Sequence, residues 1–293
     1  MEEFKTIKKA VFPVAGLGTR FLPVTKNIPK EMLPLIDKPL IHHGVNEAIA
    51  SGCNEVVFVT GTGKESIKSY FSHSIELEDT LEKSGKTEFL NIVKNIPELA
   101  EFRYVFQEKP LGLGHAVLCA KEYCIDNYFA LILPDDVMIA NPTVLTQLDK
   151  IRSKYNGSVL SLERIPMSQT SRYGIVDAEQ IDENVYKIKG LVEKPNPDVA
   201  PSDLAIMGRY ILSPSIFKHL ESINCGKGGE YQLTDAISSL LHEEPVYACI
   251  YEGERHDCGV IEGWIKATII NALRDSRYRD IAIDAFIDEI IKK

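Results

Sequence analysis

Apolar residues come in short, nearly unbroken runs separated by stretches of helical periodicity. KAVFPVA (9–15), NEVVFVTG (54–61), FRYVFQ (102–107) and YFALILP (128–134) read as strands. PLIHHGVNEAIASG (39–52), a stretch from Lys64, and GHAVLCAKEYC (114–124) read as the helices between them. Strands that are apolar at successive positions and alternate with helices predict a parallel sheet covered on both faces, joined by right-handed crossovers. A helix is predicted over 142–155, with Asn141 as its cap and Pro142 at its first position.

The texture changes after residue 158. SVLSLERI, YGIVDAE, VYKIKGLVEKP and LAIMGRYILS are strands separated by turns, which predicts a mixed, partly antiparallel continuation of the same sheet. Helices return at 230–243 and from about 261 onward. The tail places Ile265, Ile269, Leu273, Ile283, Phe286, Ile287 and Ile290 at helical spacing, a stripe to be buried on the protein's own core or on a second subunit. With no repeat and no low-complexity linker, the chain reads as one domain, 1–293, with lobes at 1–157, 158–260 and 261–293. The fold class expected is α/β: a Rossmann-like mixed, mainly parallel sheet flanked by helices, with a smaller lobe and a C-terminal helical segment.

At 293 residues and 44% hydrophobic, the chain can bury one large core or two modest ones. MEEFKTIKK carries no apolar signal segment, and no run approaches eighteen uninterrupted apolar residues, so a soluble, cytoplasmic protein is expected. Six scattered cysteines without CxxC pairs read as reduced, structural thiols, and zinc is not expected. A net charge of −9 argues against a general nucleic-acid or membrane-binding surface. Against that acidic background, Phe4 to Lys30 holds six basic residues (Lys5, Lys8, Lys9, Arg20, Lys26, Lys30) and no acidic one. This is either a solvated run or a local positive field suited to a small polyanion.

The field surrounds a glycine loop, VAGLGTRFLP. Gly16 and Gly18 are followed by Phe21 where a dinucleotide fingerprint needs its third glycine. VFVTGTGKES is no P-loop either, because Phe58 replaces the first glycine and Glu65 the final Ser/Thr. The physics needs neither motif. Glycines after a buried strand let backbone N–H groups approach phosphate, Arg20 can hold its oxygens bidentately, and Lys30 supplies a point charge. A tight turn with solvated cations is the alternative. Asp135 and Asp136 close the YFALILP strand, at the carboxyl end where open α/β sheets bind ligands.

The stretch GLGTRFLPVTKNIPKEMLPLIDKPLI resembles the signature of the nucleotidyl-sugar pyrophosphorylases, G-x-G-x-R followed by P-K, and is nearest their uridylyl branch. QEKPLGLGHAVL, LILPDDV, RYGIVDA, LVEKP, LAIMGRYIL, GGEYQLTDAI and HDCG follow in order, so the resemblance runs from about residue 8 to 270. It implies attack of glucose 1-phosphate on the α-phosphorus of UTP, with Mg²⁺ as cofactor and a homodimer or homotetramer as the assembly. It assigns Ala15, Gly16, Gly18, Thr19 and Arg20 to the nucleotide and Arg20 and Lys30 to the triphosphate; Lys26 either assists there or is simply solvated. Gln107, Gly112 and Glu31 are expected at the base, with His115 as either a helix-start residue or a ligand contact. Asp135 is the expected metal ligand, with Asp136 as the rival carboxylate, and Asp257 the second ligand; His256 and Cys258 beside it read as packing. Gly174 and Glu193 are expected at the glucose and Lys194 at its phosphate. The lobes would then be nucleotide-binding and sugar-binding. Arg20, Lys30, Asp135 and Lys194 form the expected catalytic set. The alternatives are a thymidylyl- or cytidylyltransferase of the same chemistry, or a non-catalytic binding regulator.

Overall fold

In the strand Lys9–Pro13 (β1), Val11 and Phe12 are both fully buried, yet they enter different cores. Successive side chains of a strand point to opposite faces, so an unbroken apolar run requires a sheet with both faces covered. The computed structural model describes residues 7–226 and 229–291. Phe12, Ile41, Phe58, Ile67 and Phe71 belong to the cluster on one face, and Val11, Val57, Leu131, Leu160 and Phe217 to that on the other.

After β1 come two short strands, Pro34–Leu35 (β2) and Lys38–Pro39 (β3), then Glu55–Thr60 (β4), Glu101–Phe106 (β5), Phe129–Ile132 (β6) and Asp136–Ile139 (β7). The later strands are Ser158–Arg164 (β8), Gly174–Asp182 (β9), Val185–Glu193 (β10), Leu204–Leu212 (β11), Val246–Ile250 (β12) and Glu254–Asp257 (β13). Among the described residues nine strands form one sheet, in the order β5-β4-β1-β6-β11-β8-β12-β10-β9. β5, β4, β1 and β6 run parallel. Beyond β6 the pairings are antiparallel except for β8 with β12. The sheet is thus mixed, and its parallel character belongs to the amino-terminal half. β11, buried along its whole length, pairs with both β6 and β8 and so carries one half into the other. β7 and β13 form a separate two-stranded ribbon at the end of β6.

One expectation about a helix is corrected, and one is narrowed to the second of its two alternatives. The helix predicted from Pro142 is Val144–Tyr155, and its cap is Thr143, whose hydroxyl accepts from the Thr146 N–H at 3.2 Å. A side-chain oxygen that satisfies an orphan N–H decides where the helix begins, and Asn141 lies two residues too early to do so. The C-terminal stripe is not on the protein's own core: in the helices Ile261–Arg274 and Arg279–Ile291, only Ala267 is buried. Ile265, Ile269, Leu273, Ile283, Phe286, Ile287 and Ile290 are all exposed. The six cysteines are free thiols, and burial pushes those of Cys53, Cys124 and Cys258 up to about 12, consistent with structural roles. No helix among the described residues is long and apolar enough to cross a membrane.

Candidate active site

The chain passes from β1 to β4 and β5 on one side, then returns to β6 on the other side of β1. The loops leaving β1 and β6 therefore part at a crevice outside the carboxyl edge, where α/β sheets bind ligands. Gly16 and Arg20 leave from β1, and Asp135 from β6. A cleft of about 950 Å³ opens here, and its walls include Arg20, Asp135, Gly174, Glu193, Lys194 and Asp257. Residues as far apart in sequence as Arg20 and Asp257 are thus brought to one cleft.

Gly18 sits in the left-handed region at φ +67, and a Cβ there would meet Lys30 and Thr25 side-chain carbons at 3.3 Å. The loop therefore folds back over Lys30, and Thr25 Oγ1 holds it by donating to the Gly18 carbonyl at 2.8 Å. Lys30 reaches across to Asp135, with Nζ 2.5 Å from Oδ2. Burial opposes charge on both groups, yet Asp135 and Glu31 hold the Lys30 ammonium above its usual range, and Lys30 holds the Asp135 carboxyl below the usual carboxylate range. Arg20 and Thr19 are exposed, and Arg20 makes no hydrogen bond or ion pair with a described residue. Lys26 is exposed as well.

The structure distinguishes the two aspartates of the doublet. Asp136 Oδ1 accepts from Arg255 Nε at 2.8 Å and lies 2.6 Å from its second terminal nitrogen. Burial pushes the Asp136 carboxyl up to about 6 in spite of that arginine. Both aspartates line the cleft, but Asp135 has no arginine on its carboxylate and lies beside Asp257. The two converge on Gly259: a Cβ there would stand 2.7 Å from Asp135 Oδ2 and 3.2 Å from Asp257 Oδ1. Hard carboxylate oxygens gathered where the backbone leaves room suit a divalent cation that also takes substrate oxygens. No cluster of three or more His, Cys, Asp or Glu among the described residues could enclose a metal without such help. Cys258 is buried in the cluster with Phe21, Leu40 and Val137, and His256 is buried too, so both are packing residues.

On the far wall, Gly174 opens β9 in register with Glu193, the last residue of β10. Glu193 accepts from Thr234 Oγ1 at 3.0 Å, and the Lys194 ammonium lies 3.0 Å from its other oxygen. Lys194 itself adopts φ +46, a conformation unusual for a residue with a side chain, and its N–H donates to the Tyr173 carbonyl at 3.0 Å.

Gln107 and Gly112 stand at the end of β5, on the other flank of the glycine loop from Asp135. Gln107 is buried, with its amide nitrogen on the Gly112 carbonyl and on His115. Glu31 is set apart from the other candidates. Only 1% exposed, it is held 2.8 Å from the buried ammonium of Lys64, and this arrangement does not offer its carboxylate to a base. The pair instead pins the segment beneath Lys30. Lys64 was visible in the sequence only as the start of a helical stretch and as part of a failed P-loop.

Three further residues went unmarked in the sequence. Arg255 bridges Asp136 and, at 3.7 Å, Asp257. Arg172 lies 3.2 Å from Asp257 Oδ2, with Tyr173 placed against both guanidinium groups. Arg209, 1% exposed, donates to the carbonyls of Leu133 and Asp136 on either side of Asp135. Arg209 lies within the quoted LAIMGRYIL block, where a buried arginine flanked by apolar residues is itself a signal.

The family described as Nucleotidyl transferase matches residues 9–272 of the chain. A UTP–glucose-1-phosphate uridylyltransferase of Bacillus subtilis is 44% identical over 289 residues, 99% of each chain. A solved UDP-glucose pyrophosphorylase in complex with UDP-glucose superposes with a TM-score of 0.83 at 42% identity, covering 92% of this chain and 100% of that one. A UTP-bound enzyme of the same kind from Acinetobacter baumannii superposes with a TM-score of 0.86 at 37% identity, covering 96% of this chain and 99% of that one.

Proposed function

Since this chain belongs to the nucleotidyl transferase family, among its UTP–glucose-1-phosphate uridylyltransferases, we propose that the cleft joins UTP to glucose 1-phosphate and releases pyrophosphate. The chain is a nucleotidyltransferase, and its products are UDP-glucose and pyrophosphate. An oxygen of the sugar phosphate attacks the α-phosphorus of UTP. The new P–O bond forms as the bond from that phosphorus to the β-phosphate bridge breaks, and the electron pair leaves with pyrophosphate.

The second pKa of a phosphate is near 6, so the attacking oxygen is already ionised at neutral pH and no side chain need activate it. The protein's task is to align two polyanions and offset their repulsion. Backbone N–H groups of Ala15, Gly16 and Gly18 with Thr19 would cradle the phosphates. Arg20, unpaired and exposed, would take triphosphate oxygens bidentately. Lys30, charged because its carboxylate neighbours keep it so, would exchange its contact with Asp135 for phosphate. Glu193 would accept from sugar hydroxyls, with Gly174 letting the ring lie against backbone. Lys194 would hold the sugar phosphate. Asp135 and Asp257 would hold Mg²⁺, which supplies charge neutralisation across the phosphates when bound. Gln107 and Gly112 would face the uracil.

The observation that carries this reading is that two carboxylates converging on Gly259 share one cleft with Arg20, Glu193 and Lys194. The exposed stripe of the two C-terminal helices supports a homodimer or homotetramer, to be read by sedimentation. The substrates are nucleotides and sugar phosphates of the cell interior, which supports a cytoplasmic location.

The test is pyrophosphate release with Mg²⁺ and glucose 1-phosphate, comparing UTP with dTTP, CTP, ATP and GTP, each against a control without sugar. Sugar-dependent release fastest with UTP is expected. A lead by another nucleotide would overturn the base assignment, and release indifferent to sugar would overturn the reaction.

A further inference from the structure

Asp257 is approached by two guanidinium groups that are held very differently. Its Oδ1 accepts from the Gly259 N–H at 3.1 Å, while Arg172 lies 3.2 Å and Arg255 3.7 Å from Oδ2. The Arg255 side chain is 11% exposed and committed to Asp136, with Nε at 2.8 Å and a terminal nitrogen at 2.6 Å from the same oxygen. The Arg172 side chain is 48% exposed, and the contact with Asp257 is its one hydrogen bond among the described residues. The Tyr173 ring, 5.5 Å from the guanidinium carbon, steadies that head without using an N–H, so most of its five donors are left over. An ion pair this exposed adds little to stability, and holding the fold together does not account for Arg172.

Its place in the chain says what else it can reach. Arg172 precedes Tyr173, whose carbonyl accepts from the Lys194 N–H at 3.0 Å, and stands two residues before Gly174, which pairs in register with Glu193. Arg172 and Lys194 therefore spring from neighbouring ends of β9 and β10, and both line the cleft. Each rests on a carboxylate, Arg172 on Asp257 and Lys194 on Glu193, as Lys30 rests on Asp135.

We propose that Arg172 is a second cation for the sugar phosphate, resting on Asp257 until a divalent cation takes that carboxylate. This rests on the reading above that Asp257 holds Mg²⁺ and Lys194 the sugar phosphate. A carboxylate that ligates a divalent cation has its charge offset and no longer retains an exposed guanidinium. Arg255 stays with Asp136, whereas Arg172 has no other carboxylate and turns to the phosphate beside Lys194. Its planar fork takes two oxygens of that phosphate at once, which the point charge of a lysine does not. A second cation is of use there because the attacking phosphate is brought against a triphosphate of like charge.

The experiment is calorimetric titration of the native enzyme, Arg172→Leu and Lys194→Ala with UDP-glucose, UDP and UMP, each with and without Mg²⁺. None of these turns over when pyrophosphate is left out. UDP-glucose and UDP carry the phosphate in question, and UMP lacks it. With Mg²⁺, Arg172→Leu should weaken UDP-glucose and UDP about tenfold, the scale of a charge-assisted hydrogen bond, and leave UMP unchanged. Without the metal Arg172 stays on Asp257, and that loss should largely vanish. An unchanged affinity for UDP-glucose with Mg²⁺, an equal loss with UMP, a loss with UDP-glucose but not with UDP, or the same loss with and without metal would each overturn the role. Lys194→Ala separates this role from the reading beneath it: if that variant also binds UDP-glucose as tightly as the native enzyme, the sugar-phosphate assignment itself fails, whereas a loss there beside an unchanged Arg172→Leu condemns Arg172 alone.

Discussion

Replacing Arg209 by methionine removes the positive half of a buried ion pair. Arg209 Nε lies 2.9 Å from Glu47 Oε2, and a terminal nitrogen lies 2.8 Å from the same oxygen. The guanidinium also donates to the carbonyls of Leu133 at 3.1 Å, Gly208 at 2.9 Å and Asp136 at 2.8 Å. Methionine fills similar space, so the variant leaves little cavity. What it leaves is Glu47, 8% exposed, without its counter-charge, and carbonyls flanking Asp135 short of a donor. Stranding one member of a buried pair costs roughly 3–5 kcal/mol, a large part of the 5–15 kcal/mol typical of a native protein. Removing both charges in Glu47→Leu/Arg209→Met avoids the stranded carboxylate, and the double variant should be more stable than Arg209→Met alone. Urea unfolding, compared through midpoints at an unchanged slope, reads both. Because the lost donors flank Asp135, the Mg²⁺ concentration for half-maximal activity should also rise. A cost of under about 1 kcal/mol for Arg209→Met, or a double variant less stable than the single, would refute this account of the pair.

Gly259→Ala sets a methyl 2.7 Å from Asp135 Oδ2 and 3.2 Å from Asp257 Oδ1, so turnover should fall on the order of a hundredfold with the far-ultraviolet spectrum intact; unchanged turnover would remove the metal role from this pair. Lys194→Ala should damage turnover with glucose 1-phosphate more than UTP binding, and a collapse of UTP affinity at normal saturated turnover would reassign it. Burial lowers His42 to about 4, from 6.5 when unfolded. The unfolded chain therefore takes up a proton first, and stability present above pH 6.5 should be lost as pH falls toward 4, by up to roughly 3 kcal/mol. His42→Phe should flatten that acid slope in urea midpoints taken between pH 7 and 4.5; an unchanged slope would clear His42 of the effect.

What the chain order by itself determined is local. Runs apolar on both faces, such as Val11 and Phe12 in β1 or Phe129 to Ile132 in β6, can be stable only inside a covered sheet, so the α/β class is legible without coordinates. The glycines after β1, the cations that follow them and the ordered blocks pointed to phosphate and to the family, because those requirements act over a few residues. The cap at Thr143 was also within reach, since a hydroxyl three residues before an N–H is a local signal, and it was overlooked in favour of the proline.

Tertiary structure decided whatever depends on a partner far along the chain. Asp135 and Asp136 are identical as letters and both line the cleft, and what separates them is that Arg255, 119 residues beyond Asp136, takes one while Lys30 reaches the other. Glu31 follows Lys30 in sequence yet turns inward, because Lys64 arrives from the end of β4 and a buried carboxylate is held by the nearest cation. Arg209 reads as one charge inside an apolar strand, and its worth lies in Glu47, 162 residues away, and in carbonyls that become neighbours only when β6 and β11 pair. The periodicity of the C-terminal stripe foretold helices but not what they cover, since amphipathicity demands a partner without naming one, and the folded chain leaves that face exposed.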